Sequence, residues 1–262
     1  MGRPFSYYRG NSLVDFLVDC CDAFRRAANN VNFDMQKNGE LRALRILKDF
    51  EVRCVFDVGA NIGEWSLIAA EVFPGCDIHS FEIVPTTFAR LRDNVASIPR
   101  IRPNNFGLSK ADGFVEVYLP EKDTTSATLY PVTGALEQEG WYKSKTTCEV
   151  RTASRYLKEN PVDVIDLVKI DVEGADLDVL LGFGDDIDRV RVIQFEYGVF
   201  NIASHALLFD FWHYCRKHGF VLGKIYPRRV VFFEYSFWKE DFAGNNYLAV
   251  REGETDLIRL LA

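Results

Sequence analysis

Two acids and a pair of glycines carry the first chemistry of this chain. Val55-Phe56-Asp57-Val58-Gly59 closes an apolar run, and Ala60-Asn61-Ile62-Gly63 follows it. A second apolar run ends at Ser80-Phe81-Glu82. Two strands that deliver carboxylates to one sheet edge, with glycines at the first turn, suit a ribonucleoside with a compact charged tail. Glu82 would accept hydrogen bonds from both ribose hydroxyls. The helix N-terminus after Asn61 would receive a carboxylate. Glycine tolerates positive φ and admits a ligand close to the backbone. On this reading a Cβ at Gly59 would fill the space of that tail. The spacing Asp-x-Gly-x-x-x-Gly departs from Gly-x-Gly-x-x-Gly, which counts against a nicotinamide dinucleotide. It fits the methionine end of S-adenosylmethionine (SAM), whose carboxylate and ammonium both need partners.

A second set of acids follows at Leu167-Val168-Lys169-Ile170-Asp171-Val172-Glu173-Gly174-Ala175-Asp176, and Glu196 ends Val192-Ile193-Gln194-Phe195-Glu196. Methyl transfer from a sulfonium is an in-line displacement that holds an acceptor oxygen about 3 Å from the methyl carbon. An alcohol is a poor nucleophile, so a base helps. Asp171, Glu173, Glu196 and His205 are the candidates. Asp171 and Glu173, two apart on a strand, would share a face. Glu173 has a second reading, as the cap of a helix starting near Ala175. Asp171 and Glu196 would be neighbours able to deprotonate a hydroxyl or to share a divalent cation such as Mg²⁺. Lys169 lies inside the strand and needs an acidic partner if buried. His79, His213 and His218 read as structural, whereas His205 opens a helix beside the cleft.

The elements that position these groups follow from periodicity. Strands are expected at 53–58, 77–82, 101–106, 164–170, 190–196, 219–225 and 246–250. Helices are expected at 62–72, 85–97, 175–182 and 204–217. The alternation argues for a parallel sheet. Val230 to Tyr235 and Asn246 to Val250 have no helix of normal length between them, which predicts an antiparallel last pair. Residues 12–28 and 40–48 carry helical apolar spacing and read as an N-terminal helical cap over the ligand cleft or a partner subunit, or as helices that only pack on the sheet. Residues 107–151 form an insertion, with a short strand at 114–119 and a polar substrate-side stretch at 121–147. The aromatic residues Tyr226, Phe232, Phe233, Tyr235, Phe237, Trp238 and Phe242 read mostly as sheet core, though Trp238 and Tyr226 could stack on a sugar. Lys224, Arg228 and Arg229 read as a solvated basic turn or as a contact for an anionic substrate group.

With 262 residues, 48% of them hydrophobic and 26% charged, the chain can bury one full core. A net charge of −7 argues against a general nucleic-acid binder. No apolar run reaches the roughly 18 residues of a membrane span, and Met1 to Asn11 lacks a signal-peptide core. Cysteines at 20, 21, 54, 76, 148 and 215 show no zinc spacing and read as buried thiols in a reducing cytoplasm.

Three strings together carry a family resemblance: Phe56-Asp57-Val58-Gly59-Ala60-Asn61-Ile62-Gly63, Ser80-Phe81-Glu82, and the run from Leu167 to Asp176. Over about residues 50–200 the chain resembles the FkbM family of SAM-dependent methyltransferases, and Lys169-Ile170-Asp171-Val172-Glu173-Gly174 is the most specific signature. The resemblance implies an α/β class I (Rossmann-like) fold, a seven-stranded mostly parallel sheet with an antiparallel last strand. It implies O-methylation of sugar or natural-product hydroxyls. The cofactor residues it implies are Asp57, Gly59, Ala60, Asn61, Gly63, Glu82, Ile83 and Asp171, with Asn105, Phe106 and Gly107 at an adenine-facing turn. Thr125-Ser126-Ala127-Thr128-Leu129 resembles the family's Ser-Leu segment. Thr152-Ala153-Ser154 departs from its Thr-Leu-Asp.

The expectation is therefore a helical cap over 1–50 and a SAM-dependent domain over 51–262. It would methylate a hydroxyl of a carbohydrate, free or in a glycan or nucleotide-sugar. The alternatives are a polyketide or other secondary metabolite as acceptor, or a non-catalytic SAM-binding partner subunit. A homodimer, a cytoplasmic location and no nucleic-acid partner complete the reading.

Overall fold

The computed structural model describes residues 5–120, 127–132 and 142–262. Two N-terminal helices, α1 (Ser12–Ala28) and α2 (Glu40–Leu47), precede strand β1 (Cys54–Val58). Then come α3 (Glu64–Val72), β2 (Asp77–Phe81), α4 (Pro85–Val95) and β3 (Ile101–Asn104). The insertion holds β4 (Gly107–Leu108), β5 (Gly113–Pro120) and β6 (Tyr142–Arg151). After it run α5 (Ala153–Glu159), β7 (Ile165–Ile170), α6 (Asp176–Leu181), β8 (Val190–Tyr197), α7 (Phe200–Ser204) and α8 (Leu208–Lys217). The chain closes with β9 (Phe220–Tyr226), β10 (Arg229–Phe232), β11 (Asn245–Arg251) and α9 (Thr255–Leu261).

Among the described residues eight strands form one sheet in the order β10-β9-β11-β8-β7-β1-β2-β3. The pairs β8–β7, β7–β1, β1–β2 and β2–β3 are parallel, and β11 runs antiparallel to both β8 and β9. This is the class I methyltransferase sheet with one strand added at its edge. The expected seven strands become eight because β10 folds back antiparallel on β9. The stretches at 230 and 246 therefore do not pair. β9 stands between them, and they run parallel to each other.

β1 and β7 are buried at every position, as central strands covered on both faces must be. Alternate side chains feed two cores. Phe56, Val58, Val168 and Ile170 enter one. Val55 and Leu167 enter the other with Ala43, Leu44 and Leu47 of α2. The second helix of the expected cap is thus built into the sheet's core, whereas α1 has no buried residue. The outer strand β3 turns its even-numbered residues to β2, since the Arg100 and Asn104 carbonyls accept from Ile78 and Glu82. Ile101 and Pro103 face outward, and the Ile101 N–H is taken by the Ile98 carbonyl.

The insertion is a second sheet in the order β4-β6-β5, with β5 and β6 antiparallel. The polar stretch expected as a loop is strand from Tyr142 on. Residues 121–126 and 133–141 of that stretch lie outside the described residues. Helices α5 and α9 have no counterpart in the periodicity reading. The expected helix over 204–217 is two helices. His205 ends α7 at φ +58° instead of opening a helix. Cys54, Cys76, Cys148 and Cys215 are buried, but Cys20 and Cys21 are exposed on α1. No helix among the described residues is long and apolar enough to cross a membrane.

Candidate active site

The carboxyl ends of β1, β2, β7 and β8 enclose two adjoining chambers. The smaller, of about 630 Å³, is lined by Glu82, Ile83, Gly107 and Leu108 from the main-sheet side, and by Val117, Thr128 and Val150 from the insertion. The larger, of about 1780 Å³ and open to solvent, is lined by Ala60, Trp65, Lys169 and Glu196, and by Phe33, Met35 and Glu40 from the N-terminal segment. Gly59, Asn61, Asp171 and Glu173 line both and mark the waist between them.

The glycine turn is built by backbone contacts. The N–H groups of Gly59 and Ala60 donate to the Phe81 carbonyl at 3.0 and 2.9 Å, which ties the end of β1 to β2. Gly59 has φ +80°, and a Cβ there would meet the Asp171 carbonyl oxygen at 1.9 Å. Its lack of a side chain is required by the neighbouring backbone, a different reason from the ligand tail expected of it. Gly63 has φ +91° and packs against Leu91 of α4 rather than lining a chamber.

Glu82 is buried and accepts from Asn61 N–H at 2.9 Å and Val84 N–H at 2.8 Å, one to each carboxyl oxygen. Burial pushes its pKa up to about 7 against those two donors. Each oxygen keeps an acceptor position beside the smaller chamber. Asn105 is exposed, and its side-chain amide donates to the Glu82 carbonyl at 3.0 Å. Phe106 packs on Phe81 and Tyr156 beneath the Arg151 guanidinium. Of that turn only Gly107 lines the chamber, together with Ile83.

Asp57 is fully buried and lines neither chamber. Ser66 Oγ donates to its Oδ2 at 2.6 Å, and Lys169 Nζ stands 3.5 Å from its Oδ1. Burial raises the Asp57 pKa and Lys169 opposes the rise. Lys169 also meets Asp171 Oδ2 at 3.2 Å. Burial disfavours the lysine's charge, but Asp171 and Asp57 outweigh it and hold the ammonium above its ordinary pKa. The ion pair expected for Lys169 is thus a bridge between the cofactor turn and the catalytic candidates.

Asp171 and Glu173 lie just beyond β7, in a turn where Glu173 has φ +52° and Gly174 φ +95°. Strand alternation does not place them, yet both reach the waist. The N-cap position of α6 is held by Ala175, two residues past Glu173. Thr128 Oγ1 donates to the Glu173 carbonyl at 2.6 Å and joins the insertion to this turn. Glu196 lies beside Asp171 and shares a hydrogen bond with it; burial and the charges of Asp171 and Glu173 raise its pKa well above the ordinary value. The shift favours the protonated form of Glu196, the form that can donate to Asp171. Asp176 behind them is driven to about 7 by burial and by Asp171. His205 is exposed and lines neither chamber. Among the described residues no group of three or more His, Cys, Asp or Glu side chains is arranged to hold a metal ion. Asp171 and Glu196, the two residues expected to share a cation, are joined by a hydrogen bond.

Sequence reasoning gives no individual role to Trp65, Phe33, Met35 or Glu40, all of which line the larger chamber. Lys224, read as part of an exposed turn, is buried and paired with Asp241 at 2.7 Å. Thr152 caps α5, and Ser154 Oγ donates to the Phe183 carbonyl at 2.6 Å, so the departure at that segment is filled by helix-start contacts.

Comparison with known proteins agrees with this geometry. The 2-O-methyltransferase NoeI of Sinorhizobium fredii is 25% identical over 55% of this chain and 62% of its own length. The 31-O-demethyl-FK506 methyltransferase FkbM of Streptomyces tacrolimicus is 30% identical over 54% of this chain and 64% of its own. The hexuronic acid methyltransferase AglP of Haloferax volcanii is 28% identical over 60% and 62%. Each match spans about three-fifths of the relative. Residues 57–252 match the Methyltransferase FkbM domain. That match runs from Asp57 to just past β11 and takes in most of the chain, which therefore belongs to the FkbM family of methyltransferases.

Proposed function

We propose that this protein transfers the methyl group of SAM to a hydroxyl of a carbohydrate. The observation that carries the reading is the two-chambered cleft with Glu82 on one side of its waist and the Asp171–Glu196 pair on the other. The adenosine fits the smaller chamber, where Glu82 takes the ribose hydroxyls and Ile83, Gly107 and Leu108 meet the base. The sulfonium then stands at the waist beside Gly59 and Asp171, and the methionine tail and acceptor share the larger chamber. Orphaned buried groups fit this occupant: Asn61 Oδ1 and Trp65 Nε1 have no hydrogen-bond partner among the described residues.

In the reaction the acceptor oxygen attacks the methyl carbon as the carbon–sulfur bond breaks. The hydroxyl proton passes to Asp171, leaving S-adenosylhomocysteine and a methyl ether. Lys169 pairs with Asp171 at 3.2 Å, and Glu196 orients it through their hydrogen bond. Glu173 at the waist stays the alternative base. The sugar and uronate relatives support a carbohydrate acceptor. The FK506 relative supports a second reading, a secondary-metabolite hydroxyl at the same site.

The test begins with calorimetry, in which SAM and S-adenosylhomocysteine bind and NAD does not. Tritiated SAM is then offered with nucleotide sugars, free uronates and polyketide alcohols. Label transferred only to polyketides would replace the carbohydrate reading. Binding with no transfer to any acceptor class would favour a non-catalytic SAM-binding subunit.

A further inference from the structure

Glu40 is a buried carboxyl group with no ion pair of its own among the described residues; burial raises its pKa, against its amide donors and the more distant charge of Lys169. It is 7% exposed and lines the larger chamber with Gly59, Ala60 and Asn61. Asn38 and Asn246 donate to its Oε1 at 2.5 and 3.0 Å, and Gln194 donates to its Oε2 at 2.6 Å. All three donors are neutral amides. They fix the carboxylate's direction without cancelling its charge. A carboxylate offers about four acceptor positions, so one remains. The cation in the same chamber, Lys169, is engaged by Asp57 and Asp171. A buried carboxylate gains from a counter-charge, and an ammonium brought by a ligand would supply one at close range. Trp65 lines the same chamber, and its Nε1 is a buried donor with no acceptor among the described residues. A carboxyl group held only by neutral amides and an unused donor around one cavity complement a zwitterion.

We propose that Glu40 receives the α-ammonium of the methionine tail of SAM, and that Trp65 Nε1 donates to its carboxylate. The N-terminal segment is then part of the cofactor site. The inference rests on the SAM reading above and adds a contact to it. Residue 40 precedes the stretch 57–252 that matches the family, so the contact lies outside the family match.

The test compares two ligands on the full chain by calorimetry. S-adenosylhomocysteine carries the amino-acid tail, whereas 5′-methylthioadenosine has the same nucleoside without it. Glu40→Gln should weaken S-adenosylhomocysteine about 10-fold or more, the scale of one lost charged contact. It should leave methylthioadenosine within about 2-fold. Trp65→Phe should show the same selectivity. Equal losses for both ligands, or unchanged S-adenosylhomocysteine affinity in folded Glu40→Gln, overturn the proposal. If that variant does not fold, the wild-type protein decides: the α-deamino analogue of S-adenosylhomocysteine should bind about 10-fold more weakly, and equal binding overturns the assignment. Wild-type protein that binds neither nucleoside would remove the SAM reading itself.

Discussion

Gly59 and Asp171 pack backbone against backbone, so that a Cβ on the glycine would stand 1.9 Å from the aspartate's carbonyl oxygen. The cofactor turn and the catalytic turn are one joint. Gly59→Ala should therefore act on folding before it acts on binding. Overpacking and an L-residue at φ +80° together cost about 3 kcal/mol or more. Urea unfolding measures this, and a variant as stable as wild type that merely loses SAM affinity would contradict it.

Lys169→Met should strand Asp57, which has no exposure to water. Removing one member of a buried pair costs about 3–5 kcal/mol. The double variant Asp57→Asn/Lys169→Met should recover part of that loss. A double-mutant cycle with no coupling would show that the pair is not an energetic unit.

Asp171→Asn should lower methyl transfer about 100-fold or more, the usual scale of a general base. Glu196→Gln should cost less, because the amide still donates a hydrogen bond to Asp171, while Glu196→Leu should approach the Asp171→Asn loss. EDTA should leave the rate unchanged. Equal losses for Gln and Leu at 196, or activity abolished by chelation, would replace this assignment with one based on charge or metal.

Glu82 gives the site a pH dependence. Burial lifts its folded pKa to about 7, so the native state holds the proton more tightly than the unfolded chain. Its contribution to stability is full below the ordinary carboxylate pKa and is lost as pH rises through about 7. Ribose hydroxyls donate to the ionised form, so S-adenosylhomocysteine affinity should rise over the same interval. Glu82→Gln should flatten that rise, and Glu82→Ala should cost about 1–3 kcal/mol of binding. A pH profile unchanged in Glu82→Gln would remove Glu82 from the titration.

The parts of the site legible in the sequence were strand ends. Asp57, Glu82 and Glu196 close or nearly close apolar runs, and a parallel sheet brings such ends to one edge whatever the loops do. Turn geometry was less legible. Alternation placed Asp171 and Glu173 on one face, but Glu173 sits at φ +52° beyond the strand. Asp57 lies behind the cleft rather than in it, because its side chain answers Ser66 and Lys169. Long-range partners were not legible at all. Glu40 meets Gln194 and Asn246 from 154 and 206 residues away, and no local period encodes that meeting. The same limit hid the insertion of β9 between β10 and β11, since apolar alternation states that a strand exists and not which neighbour it takes.

The outermost strand beside the nucleoside chamber has a colloidal consequence. An open sheet edge with unpaired N–H groups is a template on which another chain can add. In β3 the outward positions are Ile101, whose N–H the Ile98 carbonyl already takes, and Pro103, which has none. The proline costs the sheet nothing, because its missing donor would have pointed away from β2. At the opposite edge β10 is only four residues long. The sheet therefore ends at β3 with no free outward donor in the strand, and neighbouring molecules in a concentrated solution find no ladder there to extend.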